Sequence, residues 1–228
     1  NASNAGGQDG LSWSTAYVSL QSALAEATGN TSIWVAAGTY KPTTEADPTI
    51  YFNLKNGVAI YGGFSGTGFE TLLSQRDWKS NVTILSGDIG IIGNSSDNSG
   101  HVIYNNNVDN TAVLDGFTIQ DGNAGIYQGG GMYNVMSSPT LANCSFTGNW
   151  GYLGGAISNY SSSPKLTNCT IKNNSAYNGG GFYNATSSLP ILTNCLIANN
   201  MANVGGGGIF DLLSSSTLIN STIVNNAS

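Results

Sequence analysis

Short stretches of alternating apolar and polar residues run along the chain, and Ser, Pro, Gly and Asn separate them. The segment KLTNCTIKN, residues 165–173, is an example. Within it, Cys169 and Ile171 fall on one face of an extended backbone, whereas Thr170 and Lys172 fall on the other. This period of two predicts short strands with one buried face, and no helix fits inside the same unit.

These stretches recur about every 26 residues. Cys144, Cys169 and Cys195 align, and the residues two positions later are Phe146, Ile171 and Ile197. Four columns of the repeat are Phe117, Cys144, Cys169, Cys195 and Ser221; Asn143, Asn168, Asn194 and Asn220; Asn149, Asn174, Asn200 and Asn226; and Asn134, Asn159, Asn184 and Asp211. Strands stacked in register, one coil above the next, would build a parallel β-helix.

We therefore predict an all-β fold, a right-handed parallel β-helix of about eight coils with about 25 residues each. The whole chain, 1–228, forms one domain. An apolar spacing typical of a helix over about 16–28 predicts a cap within 1–30. Irregular coils follow over 31–122, and regular coils marked by GGxI and FxxN over 123–228.

Three residue types have predicted structural roles in the coils. The column of Asn143, Asn168, Asn194 and Asn220 interrupts the alternation, which predicts a left-handed bend and a side-chain ladder. The column of Asn149, Asn174, Asn200 and Asn226 is predicted to form another structural ladder. The glycine pairs before each apolar strand predict positive φ at a different corner. Cys144, Cys169 and Cys195 are predicted to be small core fillers rather than disulfide partners or metal ligands.

Composition narrows the classes of function. Charged residues make up 8% of the 228 residues, and the net charge is −6. A chain with so few positive charges is not expected to bind nucleic acid or anionic lipid. No run of about 18 apolar residues predicts a membrane span.

The repeat also carries a resemblance. Gly154-Gly155-Ala156-Ile157 and Gly179-Gly180-Gly181-Phe182 alternate with an element running from Phe146 to Asn149 and from Ile171 to Asn174. This alternation resembles the repeat of the polymorphic outer membrane protein family, known from bacterial autotransporter adhesins. The segments QDGLSWSTAYVSLQSAL, LSQRDW and LSGDIG resemble secreted bacterial β-helix proteins of the pectate-lyase-like superfamily. The resemblance implies the fold, and it leaves lyases, hydrolases, adhesins and spacers as functions.

Candidate chemistry is sparse. Twelve acids are present, and beyond Asp121 the chain has one, Asp211. A polysaccharide lyase or hydrolase would need clustered carboxylates, and the regular coils cannot supply a pair. We predict no catalytic residue and no required cofactor. A structural calcium ion has five candidate ligands: Asp88, Asp97, Asp109, Asp115 and Asp121. The alternative role of these acids is turn formation, and His101 is interpreted as a residue at the start of a strand.

The predicted function is a noncatalytic, extracellular structural or adhesive rod. The alternative is a carbohydrate-active β-helix or a glycan-binding module. Candidate contact aromatics are Tyr133, Tyr183 and Phe210. The C-terminal coil has no predicted cap, so we expect either self-association there, which could build filaments, or continuation into a longer chain. The chain begins at Asn1, and we expect either a secreted protein whose leader has been removed or a region excised from a longer protein.

Overall fold

Four parallel sheets run along the long axis of the molecule, and every coil contributes strands to them. The computed structural model describes residues 8–228 as a parallel β-solenoid of about seven coils. The predicted fold class is confirmed, with seven coils in place of about eight. The long loops over 65–82 and 87–102 together hold more residues than one coil of about 25.

The strands of each sheet follow one another in chain order. Sheet A contains Thr31–Ala36, Val58–Phe64, Val113–Asp115, Thr140–Ala142, Lys165–Thr167, Ile191–Thr193 and Thr217–Ile219. Sheet B contains Gly38–Tyr40, Thr83–Ser86, Phe117–Gln120, Ser145–Thr147, Thr170–Lys172, Leu196–Ala198 and Thr222–Val224. Sheet C contains Ile103–Asn106, Met132–Val135, Ile157–Tyr160, Phe182–Ala185 and Ile209–Leu212. Sheet D contains Trp150–Leu153, Ser175–Asn178 and Met201–Gly205.

The register places like residues above like residues. Ile157 pairs with Met132 on one side and with Phe182 on the other. Leu141, Leu166 and Leu192 form a similar column in sheet A, and all three are buried. Since each coil offers the same apolar residues to the next, one continuous core runs through the solenoid.

A short helix covers the first coil. The helix spans Leu20–Glu26 and follows a 3₁₀ turn at Trp13–Thr15. Leu20 and Leu24 are buried against the core. The helix is shorter than the predicted 16–28 because the Ser19 side chain caps its start and Ala27 is extended. Residues 1–7 of the predicted cap lie outside the described residues.

A loop over 65–82, which includes a second 3₁₀ turn at Leu73–Gln75, is tied to the solenoid by one arginine. Arg76 donates from Nη2 to Oδ2 of Asp115 on sheet A at 2.6 Å. Its guanidinium lies 5.1 Å from the ring of Tyr61 and 4.8 Å from that of Trp78. This buried, charge-assisted contact adds to backbone contacts that hold the loop, such as that of the Asp77 amide with the Gly63 carbonyl at 2.7 Å.

Candidate functional site

A buried ladder of amides fixes the position of sheet C. Asn105 donates from Nδ2 to Oδ1 of Asn134 at 2.9 Å, and the same contact links Asn134 to Asn159, Asn159 to Asn184, and Asn184 to Asp211. The four asparagines are fully buried. The repeat in the sequence shows this column of asparagines. It does not predict a ladder there, because the column lies inside a strand rather than at a bend.

Two further ladders were predicted, and they differ in strength. Asn149, Asn174, Asn200 and Asn226 are linked by amide contacts of 2.9–3.0 Å, and the first three are buried. In the other column, the residues have φ near +50°, as predicted for a bend. Its side-chain contacts are longer, at 3.3 Å from Asn168 to Asn143 and 3.4 Å from Asn194 to Asn168. The main role of that outer column is therefore to form a corner of each coil.

The glycine corner beside sheet C has two distinct requirements. Gly154, Gly179 and Gly206 have positive φ, as predicted. The second glycine of each pair is needed for space instead. A Cβ atom on Gly180 would lie 2.4 Å from the carbonyl oxygen of Met201. Adjacent coils thus approach each other through bare backbone at this corner.

Cys144, Cys169 and Cys195 are buried in the core, as predicted, and their thiols are free. Each Sγ contacts the backbone carbonyl two residues earlier: Ala142 for Cys144, Thr167 for Cys169, and Thr193 for Cys195. Ser221 makes the equivalent contact with Ile219 in the next coil.

The five candidate calcium ligands have separate partners. Asp115 pairs with Arg76, and Asp88 lies 3.7 Å from Lys41. Asp109 accepts from the Thr111 hydroxyl, and Asp97 from the Ile91 amide. Asp121 has a left-handed backbone and accepts from Ser86 and Gln120.

Across residues 8–228, no three side chains of His, Cys, Asp or Glu converge in a way that could hold a metal ion. Turn formation and ion pairing therefore account for these acids, and the predicted calcium ligands are not brought together.

The outer face of sheet C is uncharged and aromatic. Its first outward column reads Tyr104, Tyr133, Ser158, Tyr183 and Phe210, and its second reads Asn106, Val135, Tyr160, Ala185 and Leu212. Of these ten residues, Ser158, Tyr183 and Ala185 are buried. The five strands contain no Lys, Arg or Glu. Their one acid, Asp211, accepts from Asn184 and Ser216.

A His–Tyr cluster, made of Tyr51, His101, Tyr104, Tyr133 and Tyr160, occupies one part of this face. Ring centroids lie 4.9 Å apart for Tyr51 and Tyr104, 5.6 Å for Tyr104 and Tyr133, and 5.4 Å for His101 and Tyr133. These pairs are tilted by 45–55°, so no ring fully covers its neighbour.

Backbone contacts hold the cluster in place. Phe52 bridges to Ile103, and the Tyr104 amide donates to the Phe52 carbonyl at 3.0 Å, which brings Tyr51 beside Tyr104. His101 Nδ1 lies 3.0 Å from the Gly129 carbonyl. With the proton on Nδ1, the imidazole presents Nε2 as an acceptor.

Burial shifts the ionisation of two members of this cluster, His101 and Tyr133, toward the neutral forms. It lowers the pKa of His101, against a smaller opposing effect from the contact with Gly129. It also raises the pKa of Tyr133, and the phenols of Tyr104 and Tyr160 add to that rise. At neutral pH the cluster is an uncharged surface of aromatic rings, hydroxyls and one imidazole.

The predicted contact aromatics divide into two groups. Tyr133 belongs to the cluster. The expectation that Tyr183 is a contact residue is wrong, because it is 7% exposed. Its ring is stacked on Phe210 at 5.6 Å with an angle of 4° between the planes. This pair therefore stabilises neighbouring coils, much as Tyr152 and Tyr177 do in sheet D at 4.8 Å.

A family model matches residues 4–227, and its description is a protein of unknown function, DUF1565. The chain belongs to this family. No curated protein and no solved structure matches it. Within residues 8–228, no helix has both the length and the apolar character needed to cross a membrane.

Proposed function

We propose that this member of the DUF1565 family is a noncatalytic extracellular module that binds a neutral glycan through the His–Tyr cluster on sheet C. The observation that carries the proposal is the uncharged, aromatic outer face of that sheet, held on a rigid solenoid. We also propose that the module belongs to a surface adhesin, because its repeat resembles that of the polymorphic outer membrane protein family.

The chemistry of the cluster fits a sugar. The apolar C–H face of a pyranose packs on a phenol ring, while its hydroxyls need donors and acceptors at the ring edges. Tyr51, Tyr104 and Tyr133 each supply an aromatic ring for the C–H face and a hydroxyl group for the sugar hydroxyls. Nε2 of His101 supplies a further acceptor. An acidic polysaccharide would find no positive side chain in the sheet C strands, and a neutral one needs none.

The same face supports a noncatalytic role. Hydrolysis of a glycosidic bond uses two carboxyl groups flanking that bond. The sheet C strands contain one, Asp211, whose oxygens already accept from Asn184 and Ser216. We therefore expect binding without turnover.

A panel of soluble polysaccharides tests this proposal. The wild-type chain is run by affinity electrophoresis through gels that contain neutral glucans, mannans, xylans or galactans, and through gels that contain polygalacturonate. We expect retardation by at least one neutral polymer, and loss of that retardation in Tyr104→Ala. Retardation by polygalacturonate alone, or no difference between the two proteins, would contradict the proposal.

We also propose that the coil formed by residues 209–227 is a contact surface, either for a second copy of the chain or for further coils of a longer chain. Leu218 and Ile223 are 38% and 51% exposed there, whereas Leu192 and Ile197, their equivalents one coil earlier, are fully buried. The helix covers the opposite end, so a closed pair is favoured over a filament. Light scattering over a dilution series should give a dimer that Ile223→Asp converts to monomer. A monomeric wild-type chain at all concentrations would refute the contact between copies.

A further inference from the structure

The three cysteines form a straight column of thiols along the solenoid axis. The strands that follow Cys144, Cys169 and Cys195 pair in register. All three side chains have the same orientation, since each Sγ contacts the carbonyl two residues earlier. Adjacent sulfur atoms are therefore separated by about one coil rise, roughly 4.8 Å.

That spacing matches a two-coordinate metal ion. A bond between a metal and a cysteine sulfur is about 2.3 Å long. An ion midway between two sulfurs about 4.8 Å apart is thus within bonding distance of both. Ions that are both soft and content with two ligands are monovalent copper and silver, and thiolates select such ions.

We propose that adjacent thiols of this column bind a soft monovalent cation, Cu⁺ or Ag⁺, between them. The cation replaces one thiol proton, which leaves to solvent, so that one sulfur binds as a thiolate and the other as a neutral thiol. The pair then stays electrically neutral, as a dry core requires. Only two ligands are needed, which agrees with the absence of any three-ligand cluster among residues 8–228.

One side of the thiol column borders the outer surface. Both Cys169 and Cys195 line a groove on the outer surface, beside Asn168 and Asn194, which gives a small ion a short path to the column.

Calorimetric titration of the full, freshly reduced chain with Ag⁺ tests this site, and Ser221 supplies the matched substitution. Because serine occupies the same column in the next coil, a Cys→Ser change should fold normally, which circular dichroism checks. Cys169→Ser leaves Cys144 and Cys195 about 9.6 Å apart, too far to share an ion. Cys195→Ser keeps the pair of Cys144 and Cys169.

We expect the wild-type chain to bind Ag⁺ with release of about one proton per ion, measured from the dependence of the heat on the buffer. The affinity should fall about 100-fold or more in Cys169→Ser, and Cys195→Ser should keep one bound ion. Equal affinity in Cys169→Ser, binding that persists when all three cysteines are serine, or no binding by the wild-type chain would overturn the proposal.

Discussion

Asn159 donates from Nδ2 to Oδ1 of Asn184 at 2.7 Å, and both side chains are fully buried. The same contact is repeated from coil to coil across sheet C. Each amide is at once a donor to one neighbour and an acceptor from the other, so the buried polar groups satisfy one another. The ladder lies on the inner side of sheet C, and the His–Tyr cluster lies on its outer side.

Asn159→Ala should destabilise the solenoid by about 3 kcal/mol, because it leaves Asn134 without an acceptor and Asn184 without a donor in the core. Chemical denaturation followed by circular dichroism measures the change. Asn168→Gly, in the exposed outer column, is the matched control. It keeps the left-handed bend and should change stability by less than about 0.5 kcal/mol. Equal effects of the two substitutions would contradict the distinction between buried and outer ladders.

Gly180→Ala should prevent normal stacking of two coils. The new Cβ atom would lie 2.4 Å from the Met201 oxygen and 2.6 Å from the Gly207 oxygen, and backbone cannot move aside cheaply. We expect a loss of about 3 kcal/mol or more. In Gly29→Ala the added atom meets open space, and stability should hardly change. Thermal denaturation of both variants tests this prediction. A Gly180→Ala protein as stable as the wild type would contradict it.

The repeat made the regular coils predictable because like residues stack on like residues. The period alone identified the Asn149 column, the buried cysteines and the corner glycines. The His–Tyr cluster escaped prediction because Tyr51 and His101 come from different coils, separated by loops of irregular length. Those loops are placed by long-range contacts, such as Arg76 with Asp115, that no local spacing reveals.

Arg76→Ala should cost about 3–5 kcal/mol, since it leaves the Asp115 carboxylate buried without a positive charge, with the Asn143 amide as its remaining side-chain donor. The loss should shrink in the double variant with Asp115→Asn, which removes the unpaired charge. Lys172→Ala, an exposed residue of sheet B, serves as control. Urea denaturation of the wild type, Arg76→Ala, Asp115→Asn and the double variant gives the coupling, and Lys172→Ala is measured as a fifth protein. Purely additive losses would show that the ion pair does not dock the loop.

His101 predicts a dependence of stability on pH. Burial lowers its pKa below the ordinary value of 6.5, so the unfolded chain binds the proton more readily than the folded chain. Its contribution is fully present above pH 6.5 and is lost as the pH falls through that value toward the lower folded-state pKa. Between pH 7 and pH 5 the melting temperature of the wild-type chain should fall more than that of His101→Gln. Parallel curves would contradict this assignment.

Calorimetric titration of the retained neutral glycan into three proteins tests the central claim most directly: wild type, Tyr133→Ala, and Tyr177→Ala on sheet D as the matched control. The glycan is recovered afterwards and its chain length is measured by mass spectrometry. We predict that Tyr133→Ala weakens binding about tenfold or more, that Tyr177→Ala binds like the wild type, and that the glycan is recovered intact. Equal binding by Tyr133→Ala, or a shortened glycan, would contradict the account of a noncatalytic glycan-binding solenoid.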